Sequence, residues 1–504
     1  MINSPQILIS KTVFLEFLQC SKNTWLKLHR PDLHQHYQLS EFEKHLLEQG
    51  NEVDSIARNL FPDGIEIVGY GDEACQETIR HMTSKVPTLF QATFIVDGFI
   101  ARNDILAYDE TNECWDLYEV KGTNSLKEGS DRDHIDDVAF QVSVLNRAKI
   151  RTGKYNIIHL NKDYVRQGDL DIEQLLVIED ETEKVRARLP KIEAEMTAAK
   201  NYLLQEKEPA GECQCIYLGR NNHCTTFSYS NPDVPEYSVH DIARIGVSKK
   251  KLRTFVERRI FDIAHVPEDT ELSDIQWNQV RAHQTQQSMI DLKTIKEKLG
   301  ALTFPLYFLD YETFAPAIPI FNGFKPYQRI PFQMSLHVLD APNGELKHYE
   351  YLHEERSDPS GQVIATLQRH VQDGGRILVW NQCFEMGVHR ELASRHPQHQ
   401  EFLEDLNARI YDLMEIFQKQ HYVHPKFFGS HSIKYVLPAL MPDLRYGNLA
   451  IQEGGQASDA WWKMVSPATT PEESKTIASN LKEYCGFDTY AMVAVWKELV
   501  SLYI

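Results

Sequence analysis

Asp310 and Glu312 stand two residues apart behind the apolar run Leu306-Tyr307-Phe308-Leu309. A β-strand sends residues i and i+2 to one face, so both carboxylates are expected to point the same way. Two like charges at the end of a buried strand are costly unless a cation lies between them. Glu385 follows a second apolar strand-like run, "RILVWN", at the start of a predicted helix. Near the C-terminus Tyr484 and Asp488 are four residues apart in a helical pattern, which puts phenol and carboxylate on one face. Four carboxylates converging on one point bind two divalent cations through oxygen ligands. Such a pair of ions stabilises both the attacking water and the leaving oxygen of an in-line phosphoryl displacement. The chemistry implied is a phosphoryl displacement assisted by divalent cations, with Tyr484 placed to orient the water.

A second constellation lies in "GFIARNDILAYDETNECWDLYEVKGTNSL". Asp104 and Glu119 flank a hairpin-like turn, "DETNE", so the two acids meet on neighbouring strands. Glu119 and Lys121 are i and i+2 and share a face. An Asp–Glu pair holds a divalent metal, and the lysine positions water or neutralises charge on a phosphate. Three of the eight cysteines crowd into "GECQCIYLGRNNHC", too few and too local for a disulfide framework in a long chain.

These residues need scaffolds. The first is predicted from a helix over 10–29 with Ser10 as N-cap, a helix over 41–60, and strands in "ATFIVDGFIARNDILAYD" and "CWDLYEVKG". The helix "HIDDVAFQVSVLNRAKIRTG", the strand "YNIIHL" and a long charged helix complete it. From Thr303 a second α/β unit carries the predicted strands "LYFLDYE", "FQMSLHVLD", "LKHYEYLH" and "RILVWN", then a helix-rich half. Between the two, residues 231–298 are polar and mostly helical. Their stretch "KKKLRTFVERR" offers Lys249, Lys250, Lys251, Arg253, Arg258 and Arg259 as nonspecific phosphate contacts.

The 504 residues allow two to four domains, and 42% hydrophobic with 25% charged residues is a soluble globular profile. A net charge of −19 argues against a passive nucleic-acid coat but not against an enzyme with a local groove. No apolar run approaches a membrane span, and "MINSPQILIS" lacks a signal peptide's basic and apolar regions, so no membrane partner and a cytoplasmic location are expected.

"FLDYET", "NQCFE" and "YCGFD" resemble the three motifs of the DEDD exonucleases, in the subgroup with tyrosine in its third motif. The resemblance implies an RNase H-like domain with Asp310, Glu312, Glu385 and Asp488 as metal ligands, Tyr484 beside the water, and 3′–5′ exonuclease activity. Glu385 stands where that family usually has aspartate, and Asp412 is a lesser candidate ligand. The stretch from Tyr411 to Trp462 is similar to an uncharacterised bacterial domain family that accompanies RecB-type nuclease domains. Asp104, Glu119 and Lys121 resemble the D…ExK core of the PD-(D/E)xK superfamily, in its RecB-like branch with CRISPR-associated nucleases. Gln141 matches that branch's glutamine on the following helix. Asp54, in "GNEVD", takes the place of its early metal-binding histidine, with Glu52 nearby. The branch often clamps an iron–sulfur cluster with one early and three late cysteines, which here implies Cys20, Cys213, Cys215 and Cys224. A structural zinc is the alternative occupant, and His223 a substitute ligand. The segment around Gly246 faintly resembles helix-hairpin-helix elements.

The expectation is therefore an α/β chain with a PD-(D/E)xK, restriction-endonuclease-like domain over 1–230, a basic helical connector over 231–298 and an RNase H-like domain over 299–504, its mixed sheet flanked by helices. It would act on nucleic acid, DNA more than RNA, in repair or phage defence. The rival expectation is a nucleic-acid-binding scaffold with one or both sites inactive.

Overall fold

The computed structural model describes residues 7–33, 41–129, 133–247 and 249–504; the side chains of 41, 42 and 249 also lie outside the described residues. The protein is mixed α/β and divides into two compact units. The first comprises Met1–Pro232 together with Pro316–Tyr327, the second Asp233–Ala315 and Gln328–Ile504. The connector read over 231–298 thus belongs almost wholly to the second unit. The short 316–327 segment joins the first because it bonds there: Ala317 N donates to Gln49 Oε1 at 3.0 Å, and Tyr327 to the Gly122 carbonyl.

In the first unit a seven-stranded sheet runs in the order β2 (Gly64–Glu66), β3 (Thr88–Val96), β4 (Phe99–Asp109), β5 (Cys114–Lys121), β6 (Thr152–Leu160) and β7 (Leu176–Asp180), while β1 (Ile9–Ser10) pairs in parallel with β4. β3, β4 and β5 are antiparallel neighbours, and β6 joins β5 in parallel after the buried helix His134–Arg147. One face packs Phe94, Phe99, Leu106 and Leu117 against that helix and against Thr182–Leu203. The opposite face packs Ile105 and Ile158 against Val53 and Ala57 of the helix Glu41–Ala57.

The helix expected over 10–29 is two helices, Lys11–Gln19 and Ser21–His29. Ser10 caps the first through its hydroxyl. Cys20, at φ −155°, ends it and caps the second, its sulfur accepting from Asn23 N. The break turns one cysteine out of a helical face into a corner.

The second unit holds a two-stranded ribbon, β8 (Met289–Ile290) with β14 (Tyr422–Val423), and a five-stranded sheet. The sheet comprises β9 (Leu306–Phe314), β10 (Ile330–Leu339), β11 (Leu346–Leu352), β12 (Arg376–Val379) and β13 (Ile410–Asp412), in the order β11-β10-β9-β12-β13. β9, β10 and β11 form an antiparallel meander; β12 and β13 extend it in parallel. β9 is central and splits by period two. Tyr307, Leu309 and Tyr311 enter the core with Met334, Leu336 and Val388. Phe308 on the other face meets Trp496 of the C-terminal helix Pro471–Ser501. Asp310 and Glu312 lie inside this strand, not at its end, because Tyr311 and Phe314 are buried and keep it paired to β10. Among the described residues no helix is long and apolar enough to cross a membrane.

Candidate metal centres

Asp310 and Glu312 stand in register opposite Ser335 and Gln333 of β10. The helix Pro471–Ser501 crosses this face: Gln333 Nε2 donates to the Leu481 carbonyl at 2.9 Å, and Ser335 Oγ lies 2.7 Å from Thr489 Oγ1. Tyr484, Cys485 and Asp488 on that helix therefore come against the acid pair. Asp310, Glu312 and the fully buried Cys485 offer ligand atoms within 4.8 Å of one another. Burial raises Asp310 well above the usual carboxylate range, with Asp488, Glu312 and Glu385 adding repulsion. Glu312 is raised by burial and by Asp488. Asp488 is pushed up to about 6 by burial, against the pull of Tyr446, Lys434 and Tyr484. Among the described residues no lysine or arginine forms an ion pair with any of these acids.

Glu385 enters from the first turn of the helix Gln382–Arg395. It is 2% exposed, burial pushes it up to about 8, and its Oε2 has no hydrogen-bond partner among the described residues. Two devices fix that helix. Tyr311 Oη lies 2.8 Å from His389 Nε2, and His389 Nδ1 lies 2.8 Å from Asn407 Oδ1, tying β9 to the helices on its other face one turn after Glu385. Asp412, at the end of β13, accepts from the backbone N–H groups of Asn381, Gln382 and Met414 at 3.2, 3.1 and 3.1 Å. Asp412 thus seats the helix that presents Glu385.

Three further residues shape this site. Tyr446 donates to Asp488 Oδ1, Lys434 lowers both Asp488 and Glu312, and the backbone at Gly454 comes so close that a Cβ there would sit 3.5 Å from Glu312 Oε2. Sequence reasoning did not single them out, since Lys434 and Gly454 stand at the starts of two separate helices and Tyr446 in a 3₁₀ turn between them, and only tertiary packing groups them. Cys485 was legible in principle, being three residues from Asp488 on one helix.

In the first unit the pairing of Ile105 with Tyr118 puts Asp104 opposite Glu119. Asp104 Oδ2 accepts from Val120 N at 2.9 Å, and burial followed by Glu119 pushes its carboxyl up to about 7. Glu119 accepts from Lys11, from Lys121 at 2.9 Å and from Gln141 Nε2 at 2.6 Å. Burial works to raise Glu119, but these partners outweigh it and hold the carboxyl well below its usual range. Lys121 also pairs with Asp137. Asp54 bonds Arg58 at 2.6 Å and feels the charge of Glu119, while its Oδ1 has no hydrogen-bond partner among the described residues. Glu52 is exposed on the helix Glu41–Ala57, beside the buried Val53. The sequence reading missed Lys11, which long-range pairing of β1 with β4 delivers, and Asp137, one helical turn before Gln141.

The sulfurs of Cys20, Cys213, Cys215 and Cys224 lie within 4.8 Å of one another. Cys20 and Cys213 are 3.7 Å apart, Cys213 and Cys224 3.5 Å. Asn23 Oδ1 accepts from Thr225 Oγ1, Thr226 N and Thr226 Oγ1, pinning the loop after Cys224 to the helix behind Cys20. Neighbouring thiols donating to Cys20 lower it, and the same proximity raises Cys224. The quartet can hold a metal ion. His223 stacks on Phe227 and its Nε2 meets the Leu218 carbonyl, outside the quartet.

The basic connector is less concentrated than its sequence. Its first element is one 3₁₀ turn, Val239–Asp241, and its second the helix Lys249–Glu257. Lys250, Arg253, Arg258 and Arg259 are exposed, but Arg259 pairs with Asp233 at 2.6 Å and Lys251 bonds Gln276 Oε1 at 3.2 Å. The Lys249 side chain lies outside the described residues.

The fold and sites thus define a two-unit α/β protein with two partly buried carboxylate clusters and one cluster of four cysteines. The family described as "Domain of unknown function (DUF2779)" matches residues 307–432, a stretch that holds Asp310, Glu312, Glu385 and Asp412 but stops before Lys434, Tyr446, Tyr484 and Asp488. The chain is similar to the uncharacterized protein MG366 of Mycoplasma genitalium, 26% identical over 206 residues, 37% of this chain and 31% of that protein. It is also similar to the MG366 homolog of Mycoplasma pneumoniae, 23% identical over 205 residues with the same shares. The chain spans about a third of the length of these curated relatives.

Proposed function

We propose that the protein is a divalent-metal-dependent nuclease whose second unit is an RNase H-like, DEDD-type exonuclease acting 3′–5′. The observation that carries this reading is the grouping of buried Glu312 and Glu385 with half-buried Asp310 and Asp488, close enough that the charges of the other three act on Asp310, with no ion-paired cation among the described residues. Packing carboxylates this way costs several kcal/mol unless a cation neutralises them. The donor set fits hard ions, being carboxylate oxygens with the Glu385 Oε2 unpartnered. Mg²⁺ or Mn²⁺ there would supply charge neutralisation on the phosphate and activation of the attacking water. Tyr484, kept protonated by burial and by Asp488, orients that water, while Tyr446 holds Asp488 and Asp412 holds the Glu385 helix.

In the first unit the same reading assigns a RecB-like PD-(D/E)xK site. Asp104, Glu119 and the open oxygen of Asp54 would hold metal, Gln141 orients Glu119, and Lys121 assists at the phosphate. The four cysteines would clamp a [4Fe–4S] cluster, or zinc, that staples the start of the unit to its end. The substrate is nucleic acid, DNA before RNA, in the cytoplasm, with the exposed basic residues of 250–259 as backbone contacts.

The test is degradation of end-labelled single- and double-stranded DNA and RNA by the full chain with Mn²⁺ or Mg²⁺, in parallel with Asp310→Ala and Glu119→Ala. Loss of laddering in Asp310→Ala assigns the exonuclease to the second unit. Binding without cleavage, unchanged in both variants, would establish the scaffold instead.

A further inference from the structure

Lys434 is the second residue of the helix Ile433–Leu440. Its ammonium sits 5.8 Å from the centroid of the Tyr446 ring, and the hydroxyl of that ring bonds Asp488. The ring is itself braced edge-on by Phe487 at 4.9 Å and by Tyr484 at 6.4 Å, so the aromatic post under the lysine is rigid. Lys434 is half-buried, and among the described residues it makes no ion pair. Its field nevertheless reaches both Glu312 and Asp488.

This placement is unlike that of a structural counter-ion. A lysine serving only to neutralise the acids would close to within about 4 Å and bond one of them, as Lys121 does with Glu119 in the first unit. Lys434 instead stands beside the cluster on an aromatic post and bonds none of its acids among the described residues. A group able to bridge an ammonium and metal-loaded carboxylates must be anionic and carry several acceptor oxygens; a phosphodiester does both.

We propose that Lys434 is the substrate-contacting residue of the carboxylate site, gripping a backbone phosphate next to the scissile bond; this rests on the nuclease reading above. Tyr446 is its positioning residue, since one phenol serves both Asp488 and the lysine.

The experiment uses the full chain, a fluorescent single-stranded oligonucleotide and Ca²⁺, which loads carboxylate sites while slowing cleavage. Anisotropy titrations are run from low to moderate salt for wild type, Lys434→Ala and Lys434→Arg. Mn²⁺ binding without nucleic acid is measured separately by paramagnetic resonance. Lys434→Ala is expected to weaken oligonucleotide binding roughly tenfold and to reduce the salt slope by about one phosphate contact. In Mn²⁺ turnover the loss appears in KM, Lys434→Arg recovers most of it, and Mn²⁺ binding is unchanged. Equal affinity and salt slope for Lys434→Ala and an active wild type would overturn the inference alone. So would a loss of Mn²⁺ binding in Lys434→Ala that matches the loss of turnover, which would make the lysine a mere neutraliser. A wild type that binds Mn²⁺ yet neither binds nor cuts nucleic acid would overturn the nuclease reading and this inference with it.

Discussion

Tyr446 donates its phenolic proton to Asp488 Oδ1, so a residue from a loop controls the ionisation of an acid on the C-terminal helix. A hydrogen bond to a carboxylate stabilises its charged form and lowers its pKa. Tyr446→Phe keeps the ring under Lys434 and removes only that proton. Asp488, now at about 6, is expected to rise by roughly one unit. The acid limb of Mn²⁺ binding and of turnover should move to higher pH by the same amount, with a loss of about fivefold near pH 6 that shrinks above pH 8. A uniform loss at all pH values would instead mean that the phenol merely fills space.

The raised carboxylates make a linked prediction for stability. Asp310, Glu312, Glu385, Asp488 and Asp104 all titrate higher in the fold than in the unfolded chain. Between their unfolded and folded pKa values the native protein holds more protons, so stability falls as pH rises through this window. With chelator present, Tm should be higher at pH 5.5 than at pH 8 by at least about 4 °C, each kcal/mol moving Tm about 2–4 °C in units of this size. Glu119, depressed in the fold, is ionised throughout the window, while His337 and His389, pushed down to about 4 by burial, oppose part of the trend without reversing it. Saturating Mn²⁺ should abolish the slope, as it favours the ionised acids. A metal-free Tm that is flat between these pH values would contradict the buried-acid geometry.

Four sulfurs drawn together at one corner should keep a cation through purification. Anaerobically prepared protein is expected to carry either iron with brown visible absorption or one zinc per chain, and Cys224→Ser to lose it. Asn23→Ala leaves every sulfur in place but releases Thr225 and Thr226, so it should speed metal loss to a chelator without abolishing initial loading. Colourless protein free of iron and zinc would remove this centre.

Much of the second unit was legible because its signals are local. The period-two pattern of β9 fixed which side chains share a face, and the four-residue step from Tyr484 to Asp488 fixed their helix side. What escaped was long-range. Tyr446 sits in a 3₁₀ turn and Lys434 at the start of a separate short helix, and only tertiary packing brings them to Asp488. Lys11 reaches Glu119 because two residues of β1 pair with β4, a contact that local pattern does not encode. Cys20 was recognised, but a continuous helical pattern hid the break that frees its sulfur.

Asp412 tests whether geometry or ligation matters at the edge of the second site. Its two oxygens take three backbone N–H groups, two of them at the start of the helix carrying Glu385. Replacing such a cap costs about 1–2 kcal/mol and lets the first turn fray. Asp412→Ala should therefore lower Tm by a few degrees and turnover by about tenfold or more, since small misplacement of a catalytic group is expensive. Asp412→Asn keeps one acceptor oxygen and should recover most of the stability and part of the rate. Mn²⁺ stoichiometry should stay that of wild type in both variants, because the ligands proposed above are other residues. If either variant lost one bound Mn²⁺ while keeping its Tm, Asp412 would be a ligand after all, and the cap would be its secondary role.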